Sequence, residues 1–588
     1  MILQALTSLY ETLAQKGEIS KEGWSREKIS FALSIDEEGN LLRVTPLFDT
    51  VDGPKGKTRE VPQKMTVPAA VKRTSGAAAN FLWDNSSYIL GVSLKKGEDD
   101  AEREKRRNKD IKCFEACREF HHSMLDGMEY PAAKAVLNFL DKWEPQKAEE
   151  NNLVAQYAKE ILSGANMVFR FNGGYVHDDP QLASVWQKAN AKQKDNIGQC
   201  LVTGALDEIQ KTHPTIKGVQ GAQSSGAALV SFNASAFCSY NKEQNQNAPV
   251  GKYAAFAYTT ALNHLLADRK NVHRIGDAAV VCWAENADKQ YEDFAAEVFF
   301  GDNVDKSDEQ RLSALRTSLK LLADGLPCKE MDLDPDRKFY ILGLSPNAAR
   351  LAVRFFYCDS FGKIAGNIYK HHERLEIVRP SYDKFPILPL WKLLSATVNP
   401  NAKDKTPNAA MAGAVARAVF SGGRYPASLL ECTFLRIKAE RNITRERAAI
   451  IKAYYLRNPN EKCPKEVLTV SLNENSKNIP YTLGRLFSVY EEIQQAANPG
   501  INTTIKDRYF GSAAAMPATV FPILSNLAQK HLRKLSDAQR VYLDKKVMTL
   551  KSVLGEQYPA HMSLPEQGSF DLGYYHQTQA RYTKKEDK

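Results

Sequence analysis

Hydrophobic and polar positions follow different periods in the two halves of this 588-residue chain. Residues 29–35 alternate between apolar and polar side chains, which predicts a strand, and the turn residues 36–40 predict a hairpin with residues 41–44. Residues 278–283 are continuously apolar and predict a buried strand. From about residue 385 onward the pattern is almost wholly helical. We therefore predict an α+β protein, with a mixed α/β N-terminal part followed by an all-α C-terminal helical bundle.

Two further segments are assigned from local composition. Residues 49–76 contain prolines, glycines and basic side chains, and we predict a basic loop there. Residues 229–232 are apolar and predict a short strand.

Because the chain is too long for one hydrophobic core, we expect several domains. The predicted regions are an N-terminal α+β region with a basic loop at 1–110, a central α/β region at 111–384, a basic helical region at 385–470 and a C-terminal helical bundle at 471–588.

Composition and charge narrow the class of protein. Lysine and arginine outnumber aspartate and glutamate by 79 to 69, and such an excess matters only where it is clustered. The first helix carries the acidic Glu11 and has no basic segment before an apolar core, so it does not resemble a signal peptide. No run of apolar residues is long enough for a membrane-spanning helix. The nine scattered cysteines, without a C-x-x-C pair, fit reduced thiols in a cytoplasm.

Signals for catalysis are weak. The sequence has no phosphate-binding P-loop motif, no H-E-x-x-H helix and no G-x-S-x-G elbow. His177 and Asp178 stand just before Pro180, where a polar turn is the simpler interpretation. Cys113, Cys117 and His121 share one helix face, which is more typical of buried thiols than of a tetrahedral metal site. We expect no enzymatic activity, no cofactor and no metal.

Clustered positive charge indicates binding to a polyanion. Residues 424–457 contain eight basic and three acidic residues, and residues 476–588 contain fifteen basic and ten acidic residues. We expect a helix capped by Asn442 or Thr444 whose basic side chains line one face, although a solvated helix pair with salt bridges has the same composition. Residues 216–226 and 231–247 are rich in amide and hydroxyl side chains, which can contact base edges or phosphates without doing chemistry.

Six segments distributed in order along the chain carry a family resemblance. They are MILQALTSLYETL (1–13), VKRTSGAAANFLWDN (71–85), KGVQGAQSSGAALVSFNASAFCSYNKEQNQNAPVGKYAAFAYTTALNHLL (217–266), YILGLSPNAARLAVRFF (340–356), SGGRYPASLL (421–430) and RAAIIKAYYLRN (447–458). Together they resemble the large subunit of the type I-C CRISPR Cascade surveillance complex (Dvulg subtype).

The resemblance implies a function and a set of partners. The family's large subunits recognise the protospacer-adjacent motif (PAM) in duplex DNA, promote R-loop formation, stabilise the displaced non-target strand and help to recruit a separate helicase-nuclease. Sequence specificity then comes from the crRNA, and the protein itself reads only the short PAM. The implied partners are the crRNA, the backbone and 5′-handle subunits, the target duplex and the displaced strand, in a prokaryotic cytoplasm.

A small subunit of the same complex is also implied, translated from an internal start in the 3′ part of the gene. The region from about residue 470 is helical, basic and self-contained in pattern, and Val470 is a candidate start.

Within this framework we assign candidate contacts. Basic and small polar residues on a flexible turn, and amides able to replace lost base-pair hydrogen bonds, are suited to reading the PAM. The predicted PAM and duplex contacts are Lys72, Arg73, Thr74, Ser75, Gln220, Gln223, Ser224, Ser225, Asn233 and Asn241. The predicted contacts to the displaced strand are Arg424, Arg436, Arg441, Arg445, Lys506 and Arg508.

Two other functions remain open from the sequence. A nuclease of the same defence system would need a general base or a metal, and only His177 with Asp178, or the row that begins at Cys113, offers one. A purely structural scaffold subunit would not read DNA at all.

Overall fold

The computed structural model describes residues 2–52, 58–71, 73, 77–95, 97–191, 196–301 and 309–582. The chain divides into two compact units. Unit 1 comprises Leu3–Pro214 and Phe232–Ala261, and unit 2 comprises Thr215–Ser231 and Leu262–Lys588. The predicted α+β class is confirmed, since strands and helices mix in the N-terminal part and helices alone occupy residues 479–582. The division into four regions stays a prediction.

Fourteen strands occur in the described residues. They are β1 Trp24–Ile29, β2 Phe31–Ile35, β3 Leu41–Pro46, β4 Phe48–Asp52, β5 Thr58–Pro68, β6 Trp83–Asn85, β7 Asn166–Phe171, β8 Gly174–Tyr175, β9 Ile197–Gln199, β10 Leu206–Glu208, β11 His273–Ile275, β12 Ala278–Ala284, β13 Lys338–Asn347 and β14 Arg350–Ser360.

Twenty α-helices occur in the same residues. They are α1 Ile2–Gln15, α2 Ser86–Ile89, α3 Asp100–Leu125, α4 Pro131–Lys142, α5 Asn152–Ala155, α6 Ala158–Ile161, α7 Pro180–Ala191, α8 Lys252–Ala267, α9 Lys289–Ala295, α10 Glu309–Ala323, α11 Phe361–Leu375, α12 Leu390–Ser395, α13 Ala409–Ser421, α14 Ala427–Glu440, α15 Arg445–Arg457, α16 Ile479–Ala497, α17 Ile505–Ala515, α18 Pro517–Leu532, α19 Asp537–Lys551 and α20 Leu564–Tyr582. None of the helices in the described ranges is long and apolar enough to cross a membrane.

Unit 1 is built around a mixed sheet. Its strand order is β3-β2-β7-β6, with β8 beside β7, and β2 and β7 run parallel. The predicted hairpin of β2 and β3 is confirmed. The alternation of β2 places Phe31 and Leu33 in the main core with Phe139 and Phe169, which lie on α4 and β7. A second, three-stranded sheet has the order β1-β5-β4.

The prediction of a loop over residues 49–76 is wrong for most of that segment. Strand β5 is eleven residues long and pairs with β1 on one side and β4 on the other. Its sequence contains charged residues and two prolines, which favour a loop when they are considered locally. Cross-strand pairing with two neighbours overrides that local preference.

Unit 2 contains a four-stranded antiparallel sheet with the order β11-β12-β13-β14. The predicted strand at 278–283 is confirmed as β12, which is apolar throughout because β11 and β13 flank it and its residues are buried. The strand predicted at 229–232 is wrong, since these residues have no regular structure. Ala228 instead forms an isolated bridge with Arg350 at the start of β14.

The C-terminal helices pack as a bundle around α16 and α20. A methyl group added to Gly484 would overlap the carbonyl oxygen of Phe570, and one added to Gly573 would overlap that of Tyr481. The two glycines therefore allow the backbones of α16 and α20 to approach closely.

The bundle shares its core with the preceding helices. Residues of α14 and α15 belong to the same hydrophobic cluster as α16 and α20. Tyr575 on α20 also donates a hydrogen bond to the carbonyl oxygen of Val378, at 2.7 Å. In the full-length chain the region from about residue 470 therefore packs against the helices before it, and its existence as a separate small subunit stays a prediction.

Candidate nucleic-acid interface

The glycine-rich segment of unit 2 forms a closed loop, which we call the Gln220 loop (residues 216–227). Ile216 and Ala227 pair at its base through backbone hydrogen bonds of 2.8 and 2.9 Å. Two further backbone bonds, from Ala222 to Val219 and from Gly226 to Gln223, make turns inside it. The loop thus satisfies much of its backbone internally, and its amide and hydroxyl side chains are free to face solvent.

Neighbouring elements of unit 2 fix the position of this loop. The Asn263 side chain on α8 accepts a hydrogen bond from Lys217 N at 2.8 Å and donates one to Thr215 O at 3.1 Å. Gly218 and Gly221 both have positive φ and lie against Leu266 and Pro346, respectively. These contacts explain why glycine is needed at positions 218 and 221.

A neighbouring strand holds one side chain of the loop, Gln220. Arg274 on β11 donates a hydrogen bond to its Oε1 at 3.0 Å, and Arg274 Nε also donates to Gly276 O at 3.1 Å. The arginine can only donate, so it fixes the amide with Nε2 pointing elsewhere. Gln220 is exposed, and its amide NH₂ is available to an acceptor on a base edge.

A cavity of about 280 Å³ adjoins this pair. The polar side chains of its wall are Gln220, Arg269, His273, Arg274 and Asp277. Asp277 forms an ion pair with Arg354 at 2.8 Å, which leaves Arg269 and Arg274 as the exposed cations. The remaining predicted residues of the loop, Gln223, Ser224 and Ser225, are exposed as well.

The amide-rich segment 231–247, which lies in unit 1 from Phe232 onward, forms a second loop. Asn247 braces it by accepting from Ser239 N at 2.8 Å and donating to the carbonyls of Lys242 and Gln244. Asn245 is buried and donates to Gln210 O at 2.9 Å. The predicted residues Asn233 and Asn241 are exposed, so the two bracing amides are different residues from the two predicted contacts.

Tyr240 stands at the tip of that second loop and is 95% exposed. Its φ of 54° and the φ of 56° at Asn241 are both left-handed, and Lys242 N bonds back to Ser239 O at 3.0 Å. Two successive positive φ angles are typical of a type I′ turn, which glycine and asparagine favour and tyrosine does not. The backbone at Tyr240 is therefore strained.

Of the predicted basic turn, only Arg73 is described; Lys72, Thr74 and Ser75 lie outside the described residues. Arg73 belongs to unit 1 and forms an ion pair with Asp84. Its guanidinium lies 3.9 Å from the ring centroid of Tyr88. Burial raises the pKa of Asp84, and the nearby Arg73 opposes that shift. The Arg73 side chain is 30% exposed.

The predicted backbone-binding residues of unit 2 differ in accessibility. Arg424, Arg441 and Arg508 are exposed. Arg436 is largely buried and lies 3.6 Å from Glu440, its ion-pair partner. Lys506 is half-buried, with Nζ 3.5 Å from Oδ1 of Asn442.

Arg445 does not fit the prediction of a contact to the displaced strand. It is buried, forms an ion pair with Asp383 at 2.9 Å and donates to the carbonyl oxygens of Phe385 and Pro386. These contacts occupy its guanidinium inside unit 2, so it has no exposed donor for a phosphate. The predicted cap by Thr444 is confirmed, because its side chain accepts from Arg447 N at 3.4 Å.

The histidines and cysteines considered for catalysis are buried in unit 1. His121 Nε2 accepts from Leu82 N at 2.9 Å and Nδ1 donates to Cys117 O at 2.7 Å, and burial lowers its pKa to about 4. His177 is buried with Oδ1 of Asp178 at 3.6 Å, and burial lowers its pKa too. Among the described residues, no group of three or more His, Cys, Asp or Glu side chains could hold a metal ion.

A comparison with known protein families identifies the family of this chain. The family described as CRISPR-associated protein (Cas_Csd1) matches residues 6–582, almost the entire sequence. The chain belongs to this family. The expected association with CRISPR is thereby confirmed. A search of curated proteins finds no match.

Two residues that hold the Gln220 loop in place were not predicted from the sequence. Arg274 and Asn263 both act on the Gln220 loop from more than forty positions away in the chain. A signal for Arg274 was present, since Arg269, Lys270, His273 and Arg274 make a short basic run ahead of Gly276. For Asn263 the only signal was an asparagine inside a helical pattern, where that residue is disfavoured.

Proposed function

We propose that this chain is the large subunit of a crRNA-guided type I-C interference complex in the prokaryotic cytoplasm. In this role it recognises the PAM in duplex DNA, promotes R-loop formation, stabilises the displaced non-target strand and helps to recruit the helicase-nuclease. The crRNA and the backbone and 5′-handle subunits are its other partners. The chain itself carries out no chemistry.

The observation that carries the proposal is the Gln220–Arg274 pair, in a chain whose family match covers residues 6–582. An exposed amide held by an arginine is preorganised for hydrogen bonding to a base edge, because little side-chain freedom is lost on binding. The cations Arg269 and Arg274 beside it are suited to the flanking phosphates. This combination favours DNA reading over the scaffold function.

We assign binding of the displaced strand to the exposed basic residues of unit 2. Arg424, Arg441 and Arg508 are available to phosphates without any change of structure. If a small subunit is also translated from the region after about residue 470, it carries Lys506 and Arg508 as a second copy of that surface.

The test is duplex opening by the reconstituted complex. Complexes assembled with and without this chain are mixed with a matched duplex, and permanganate reactivity reports unpaired thymines in the displaced strand. We expect reactivity that depends on the chain. Equal reactivity in both complexes would favour the scaffold function. Cleavage of the strand by the purified chain, lost in His177→Gln, would favour the nuclease.

A further inference from the structure

Three arginines from separate elements of unit 2 converge around one short loop. Arg374 lies at the C-terminal end of α11, Arg424 lies between α13 and α14, and Arg457 is the last residue of α15. Arg457 Nε donates to Gly423 O at 2.8 Å, which fixes its guanidinium beside the loop that carries Arg424. We call these three residues the arginine cluster.

Tyr425 anchors the other side of the same loop. It is buried, and its hydroxyl shares a hydrogen bond of 2.6 Å with Nδ1 of His371. Burial raises the pKa of Tyr425, while the charges of Arg374 and Arg457 and a hydrogen bond from the Arg374 side chain oppose that shift. The loop therefore holds Arg424 between two fixed neighbours, Gly423 and Tyr425.

The arginine cluster lacks a compensating acid. Within the part of the chain that the structure describes, no carboxylate forms an ion pair with any of its three members. Burial lowers the pKa of Arg457, and the charges of Arg374 and Arg424 lower it further. The buried arginines nearby differ, because Arg445 is paired with Asp383 and Arg447 with Glu440.

We propose that the arginine cluster binds a backbone phosphate of a single nucleic-acid strand. Guanidinium groups present several N–H donors in a plane and match a phosphate oxygen pair, whereas three of them together without an anion repel one another. Arg424 is exposed, so a ligand can reach the cluster from solvent. The proposal rests on the proposed function, and it adds Arg374 and Arg457 to the strand contacts assigned there.

The experiment measures binding of a fluorescent single-stranded oligonucleotide to the full-length chain by anisotropy, at several salt concentrations. Arg424→Gln and Arg374→Gln are each compared with the wild-type chain. Arg540→Gln is the matched control, because Arg540 is 48% exposed but paired with Asp537 at 2.8 Å. Since Arg457 also supports the loop, Arg457→Lys serves as its variant and retains the charge.

We expect Arg424→Gln and Arg374→Gln each to weaken binding about tenfold and to reduce the salt slope by about one, with Arg540→Gln unchanged. Equal affinities and slopes in all variants would overturn the proposed site. A second arm adds inorganic phosphate as competitor: strong competition at millimolar concentration would mean a site for the free anion and would also overturn the assignment to a strand.

Motif-dependent duplex binding by the reconstituted complex separates this inference from the function on which it rests. If that binding is intact in wild type and in Arg424→Gln while strand affinity is also unchanged, the arginine cluster fails and the proposed function stands. If wild type itself shows no motif dependence, the proposed function fails first.

Discussion

The side chain of Arg274 donates a hydrogen bond to Oε1 of Gln220, with 3.0 Å between the two heavy atoms. The two residues are fifty-four positions apart and belong to a strand of the sheet and to the Gln220 loop. This contact orients the exposed amide before any ligand arrives.

Removal of the amide tests the reading role of this pair. We expect Gln220→Ala to reduce discrimination between a correct and an incorrect PAM about tenfold, since one good base contact is worth about 1–3 kcal/mol. Arg274→Met leaves the amide in place but unfixed, and we expect a smaller loss. Competition binding with the two duplexes measures both effects, with Gln529→Ala, an exposed amide on α18, as control. Unchanged discrimination in Gln220→Ala would remove the residue from the reading site.

The crossing of α16 and α20 gives a prediction about stability. We expect Gly484→Ala and Gly573→Ala each to lower the free energy of unfolding by about 2–3 kcal/mol, because the added methyl overlaps a backbone carbonyl. Gly511→Ala is the matched control: nothing lies within 4 Å of its added methyl, and helix α17 gains about 0.5–1 kcal/mol. Thermal unfolding gives the comparison. A Gly484→Ala variant with the same free energy of unfolding as the wild type would contradict the close approach of the two helices.

Strain at Tyr240 predicts that a mutation raises stability. Asparagine tolerates the left-handed φ of 54° better than tyrosine does, and the ring is 95% exposed and contributes little burial. We expect Tyr240→Asn to raise the free energy of unfolding by about 0.5–1 kcal/mol. Tyr382→Asn, at an 82% exposed tyrosine without positive φ, should bring no such gain. A loss of stability in Tyr240→Asn would mean that the ring makes a stabilising contact.

His121 predicts a dependence of stability on pH. Burial lowers its pKa from 6.5 to about 4, so between these values the unfolded chain binds a proton that the folded chain does not. Stability from this residue is complete above pH 6.5 and is lost as pH falls toward 4. His121→Gln retains a donor and an acceptor but does not titrate, and we expect a shallower loss of unfolding temperature over that range. If the unfolding temperatures of wild type and His121→Gln fall equally between pH 6.5 and pH 4, His121 does not cause the pH dependence.

Much of the fold followed from patterns in the sequence, and the exceptions have a common cause. The period of two at residues 29–35, the apolar run of β12 and the cap at Thr444 are local signals, and each is confirmed. Strand β5 was missed because its prolines and charges favour a loop until β1 and β4 pair with it. Local patterns cannot report partners that are distant in sequence.

The candidate site shows the same limit. Glycine spacing and amide content identified the Gln220 loop, but Arg274, which orients Gln220, comes from another element. Arg445 has the charge of a phosphate contact, but its pairing with Asp383, sixty-two residues away, places it inside unit 2. Charge in a sequence indicates a binding face only after the internal ion pairs have been subtracted.

The most direct test of the account is a titration of the reconstituted crRNA complex, with and without this chain, against a matched duplex that carries or lacks the PAM. Salt concentration is held at one stated value, because phosphate contacts make affinity depend on it. We expect PAM-dependent binding only when the chain is present, and weaker discrimination when Gln220→Ala replaces the wild-type chain. PAM discrimination that persists in the complex without the chain would contradict the account.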